Sequence, residues 1–73
     1  MKEYFKHTQK IPYGYEMVSV LEIENSFVLR IVCHNTWSGK SILYSNPVEL
    51  RIAMSSSMIP VSQAEFERYE SNI

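Results

Sequence analysis

The 73 residues carry a formal net charge of −1, with 45% hydrophobic and 21% charged side chains. That length leaves room for one small globular domain, residues 1–73, and the balance of apolar and charged groups excludes a disordered chain. A near-neutral chain also lacks the basic excess of a typical nucleic-acid binder, and no stretch approaches the roughly 18 apolar residues of a membrane span.

Cys33 is the single cysteine and forms no internal disulfide, and residues 1–10 hold no apolar run of the kind a secretion signal needs. A cytoplasmic protein is expected. Along the chain, residues 2–8 alternate weakly, with Tyr4 beside Phe5. They predict a short edge strand or an arm lying across a sheet. Ile11, Pro12, Tyr13 and Gly14 predict a turn in which proline presets φ and Gly14 accepts a positive one.

Residues 15–34 are the organising stretch. Leu21 and Ile23 alternate with Glu22 and Glu24, and Phe27, Leu29, Ile31 and Cys33 alternate with Val28, Arg30, Val32 and His34. Alternation with β-branched and aromatic content predicts two strands of a hairpin. A two-residue loop at Asn25 and Ser26 pairs Ile23 with Val28 and sets the apolar faces against each other. A three-residue loop, Glu24-Asn25-Ser26, restores them, and is the expected one. It pairs Ile23 with Phe27, Leu21 with Leu29 and Met17 with Cys33, and needs a left-handed residue at Asn25 or Ser26. On the reverse face it sets Val18 opposite Val32, Val20 opposite Arg30 and Glu16 opposite His34, with Glu22 diagonal to Arg30.

That reverse face holds Val18, Val20, Val28 and Val32, more valine than a solvated face shows. Either the monomer covers it, with the carboxy-terminal helix or the Tyr4/Phe5 arm, or it is a surface for a partner.

Asn35, Thr36, Trp37, Ser38 and Gly39 predict a second turn, with Gly39 left-handed. Ser41 to Tyr44 predict a third strand of an antiparallel meander. Residues 45–54 alternate Val48, Leu50, Ile52 and Met54 with Glu49, Arg51 and Ala53, and are expected to be a strand, although Asn46, Pro47 and Glu49 resemble a helix start. After a polar break at Ser55, Ser56 and Ser57, Ser62 and Glu65 form a capping box and Val61 and Phe66 a hydrophobic staple. A helix from about Gln63 to Ser71 follows, with Phe66, Tyr69 and Ile73 on one face.

The chemistry-bearing residues do not assemble by spacing. Cys33 and His34 point to opposite faces of a strand, so the imidazole does not activate the thiol. His7, His34 and one cysteine lack zinc-site spacing. Ser38-Gly39-Lys40-Ser41 resembles the end of a phosphate-binding loop, but the required earlier glycine is replaced by His34. Glu22 and Glu24 are strand-tip carboxylates with little room for a pocket.

The fold expected is therefore α+β, a small antiparallel β-meander of three to five strands with one short carboxy-terminal helix packed on the sheet. The alternative is a small curled barrel in which residues 48–54 close on the first strand. The function expected is non-enzymatic, without cofactor or metal. The partner is another protein or a second copy of the chain, met through Trp37 and Lys40 or through the face carrying Val18, Val20, Val28, Arg30 and Val32. An accessory subunit fits that description, as does a phage or mobile-element inhibitor of a host enzyme. The other class is single-stranded nucleic-acid binding, with Tyr4, Phe5, Lys6, Tyr13, Tyr15, Trp37, Lys40 and Tyr44 as a stacking surface.

Overall fold

A computed structural model describes residues 1–25, 27–45 and 58–73. Among these residues three nine-residue strands, one of five and one of three follow in order: β1 (Lys2–Lys10), β2 (Glu16–Glu24), β3 (Phe27–Asn35), β4 (Lys40–Tyr44) and β5 (Ile59–Val61), then helix α1 (Gln63–Glu70). The sheet order is β4-β3-β2-β1-β5, antiparallel throughout, with α1 against one face. The expected α+β architecture is present. Among the described residues no helix is long and apolar enough to cross a membrane.

The amino-terminal segment is neither an edge nor an arm. β1 runs nine residues beside β2 and has β5 on its other side. Its weak alternation reflects its position: Tyr4 is buried under the helix and Phe5 is half-buried on the other face, so both faces take apolar groups. The strand expected over residues 45–54, and with it the barrel closure, lies outside the described residues.

The hairpin register differs from the expected one. Glu24 pairs with Phe27 and Ile23 with Val28, which is the tighter connection, and Asn25 supplies the left-handed φ of 52°. The conflict of faces is resolved by a bulge: Glu22 pairs with Arg30, so Leu29 is extra on β3. One added residue exchanges the faces of everything beyond it. Past the bulge Val20 pairs with Val32, Val18 with His34 and Ser19 with Cys33.

Two cores result. On the helix face Tyr4, Val20, Val32 and Phe66 form one buried cluster, with Val61 and Tyr69 packed against it. On the opposite face Leu21, Ile23 and Val28 form a second, flanked by Phe5, Ile31 and Met58. The helix therefore covers Val20 and Val32, while Val28 lies in the opposite core. Phe66 is fully buried there, its ring 5.3 Å from that of Tyr4.

Ser62 caps α1, its Oγ accepting the Glu65 N–H at 3.2 Å. The Glu65 carboxylate faces Lys6 at 3.6 Å and Arg68 at 3.5 Å. Half of the expected capping box is thus present, and its carboxylate serves to tie the helix to β1.

Candidate binding site at the aromatic end of the sheet

The turns joining β1 to β2 and β3 to β4 lie at one end of the sheet, opposite the β2–β3 hairpin tip. Three of the exposed aromatic residues gather there: Tyr13, 96% exposed, Trp37, 69%, and Tyr15, 39%. Met17 pairs with Asn35 and Glu16 bonds Thr36, so Tyr15 and Trp37 each follow directly on the last contacts between β2 and this turn. Lys10 and Lys40, both exposed, end β1 and begin β4 at the same place.

The Trp37 turn is held from several directions. Thr36 latches it to β2: its hydroxyl accepts the Glu16 N–H at 2.8 Å and donates to the Glu16 carbonyl, which also accepts the Thr36 N–H at 3.0 Å. Asn35 Oδ1 accepts from the N–H of Trp37 at 2.8 Å and of Ser38 at 3.4 Å, an Asx turn that replaces backbone partners. Gly39 closes the loop with φ of 70°, its N–H donating to the Asn35 carbonyl at 2.8 Å. A polar, well-bonded turn thus carries a large apolar side chain into solvent.

The Tyr13 turn has a different peculiarity. Tyr13 itself adopts φ of 67°, followed by Gly14 at 81°. The left-handed region costs a non-glycine residue roughly 1–2 kcal/mol. Such strain concentrates at binding sites, where the side chain rather than the backbone is selected.

The other expected site residues are placed elsewhere. Val20 and Val32 are buried beneath α1, Val18 is buried on the same strand face as Val20, and Val28, put on the far face by the bulge, is buried in the second core. Their side chains are interior packing in the monomer, a correction that follows from where the helix docks. Arg30 belongs to a polar network inside the helix face. Its Nε donates to Glu22 Oε1 at 3.0 Å and its Nη2 to Oε2 at 2.9 Å, while Nη1 meets Glu70 of the helix. The guanidinium also lies 4.9 Å over the Phe66 ring, and Tyr4 Oη donates to Glu22 Oε2 at 3.0 Å.

This network shifts the ionisation of Glu22 and Tyr4. The Arg30 hydrogen bonds hold the Glu22 carboxyl below the usual glutamate value despite its burial. Burial first, and the bond to Glu22 second, push the Tyr4 phenol up. The register expected from the sequence sets Glu22 diagonal to Arg30; the bulge instead sets the two directly opposite, where they form a bidentate pair.

Of the aromatic surface considered for nucleic acid, Tyr4 is core, Phe5 is half-buried on the far face and Lys6 is engaged by Glu65. Tyr13, Tyr15, Trp37 and Lys40 are brought together. Tyr44 is half-exposed on β4. Cys33 is half-buried, its Sγ 3.6 Å from Ser19 Oγ, on the face away from His34. His34 Nδ1 lies 2.7 Å from Ser41 Oγ, across the β3–β4 ladder and beside Tyr69. The concavity described near the helix, lined by Ser62, Ala64, Glu65 and Arg68, includes neither of these two. No three potential metal ligands cluster among the described residues.

No family model, curated protein or solved structure matches the chain.

Proposed function

We propose that the chain is a non-enzymatic protein-binding module, an accessory subunit or inhibitor, that seats its partner on the aromatic end of the sheet with Trp37 as anchor. The observation that carries this reading is the exposed Trp37 on a turn whose backbone is fastened by Thr36, Asn35 and Gly39. Tryptophan is enriched among binding hot spots, and a pre-ordered turn spares the entropy of ordering it on association. Tyr15 and the strained Tyr13 widen the same surface. A cytoplasmic setting is part of the proposal, since the fold needs no disulfide.

Capture of a defined protein from nuclease-treated lysate of the source cells is the test. Trp37→Ala is expected to weaken capture about thirtyfold or more while changing stability by less than roughly 1 kcal/mol. Unchanged capture by that variant sinks the reading.

Lys10 and Lys40 flank the three aromatics, which favours single-stranded nucleic acid as the second reading. Binding of an oligonucleotide that weakens steeply with salt identifies it.

A further inference from the structure

We infer that the β4 edge is a self-association surface, pairing antiparallel with β4 of a second copy about a two-fold axis through Ile42. This surface shares only Lys40 with the aromatic end and does not depend on what that end binds.

The two edges of the sheet are built differently. β5 has only three residues and contains Pro60, two devices that discourage strand addition. β4 has five residues, no proline and no bulge in its pairing with β3, and among the described residues no strand lies on its outer side. Its side chains are open on both faces: Ile42 is 54% exposed, Tyr44 49% and Leu43 38%. Exposed apolar edges of this kind add strands.

The occupant follows from the sequence of the edge itself. A two-fold axis normal to the sheet keeps each face on its own side, so opposed residues must share a face. Of the registers that satisfy this, only the one centred on Ile42 pairs all five residues. It sets Ile42 against Ile42, Ser41 against Leu43, and Lys40 against Tyr44, with the same pairs repeated by symmetry. The ammonium of Lys40 then meets an aromatic ring, an attractive pairing that leaves no like charges opposed. Ten strands become continuous, with both helices on one face. A five-residue edge buries less than the roughly 1,200 Å² of a standard interface, so the dimer is weak and concentration-dependent.

Sedimentation velocity of the intact chain, from dilute solution up to about 1 mM, tests this. The expected result is a rise from monomer toward twice the monomer mass. Tyr44→Lys opposes lysines at two symmetric positions and is expected to weaken association about tenfold. Adding Lys40→Glu to that variant replaces both repulsions by ion pairs and is expected to restore the dimer. Circular dichroism and thermal melting should match wild type for both, since the two side chains are exposed. A chain that stays monomeric throughout overturns the proposal. So does a dimer indifferent to Tyr44→Lys, or one that the second substitution fails to restore. Capture by the Trp37 surface is measured separately on Tyr44→Lys alone, because Lys40 also lies at the aromatic end.

Discussion

Glu22 is 3% exposed, yet it is ionised, because Arg30 grips both carboxylate oxygens and Tyr4 donates to one of them. A buried pair adds little over an apolar substitute, but breaking it strands a charge. Arg30→Ala should therefore cost about 2–3 kcal/mol, below the fully buried figure because its side chain is one-third exposed. Chemical denaturation measures it. The same residues set the pH response. The native Glu22 value lies below the unfolded one, so its contribution is complete above the ordinary glutamate value and is lost as pH falls through the native value. Glu22→Gln should flatten that acid limb. Tyr4, raised in the native state, contributes below its ordinary value of 10.0, and that contribution is lost as pH rises through the native one. Tyr13 offers the opposite case. Tyr13→Asn puts a residue tolerant of positive φ at the strained position and should raise stability by about 0.5–1 kcal/mol. If the aromatic end binds a partner, the same change should lower its affinity.

At the scale of elements, α1 is too short to persist alone and is held by its cap and by what it docks on. Ser62→Ala removes the acceptor for the Glu65 N–H and should cost about 1 kcal/mol, read as a lower denaturation midpoint with an unchanged slope. Phe66, Arg30 and Glu70 join the helix to β3 as one assembly, the ring beneath the guanidinium and the carboxylate beside it. A double-mutant cycle between Phe66→Leu and Arg30→Lys should show a coupling of about 0.5 kcal/mol or more, since neither substitution leaves the stacking intact. The helix limits and the Ser62 cap were legible in the sequence because capping is local chemistry over four residues. The hairpin register was not. Its choice between a three-residue loop and a tight turn with a bulge rests on which faces are buried, and Leu29 carries no local mark of being the extra residue.

At the scale of the whole molecule, 73 residues bury little and total stability is on the order of 5 kcal/mol. Phe66→Ala, at a site with no exposure, should cost about 3–5 kcal/mol and leave the chain largely unfolded at 37 °C, visible as lost near-ultraviolet dichroism and increased dye binding. The same substitution separates packing from surface: Trp37→Ala, at the far end of the sheet, should leave the melt almost unmoved.

By itself the sequence determined the α+β class, the hairpin at residues 15–34, a left-handed residue at Asn25 or Ser26, the left-handed Gly39, and the capped carboxy-terminal helix. All of these follow from periodicity and turn chemistry, which act within a few residues. Only the tertiary structure decided that β1 is internal, that a three-residue β5 lies beside it and that the helix covers Val20 and Val32. The gathering of Tyr13, Tyr15 and Trp37 at one end was settled there too. Each of these depends on contacts between segments distant in the chain. An amphipathic helix and a sheet apolar on both faces admit two dockings, and local pattern does not separate them. The bulge at Leu29 does: it moves Val28 to the far core and leaves Val20 and Val32, with the Glu22–Arg30 pair beside them, as the surface that Phe66 and Glu70 fit.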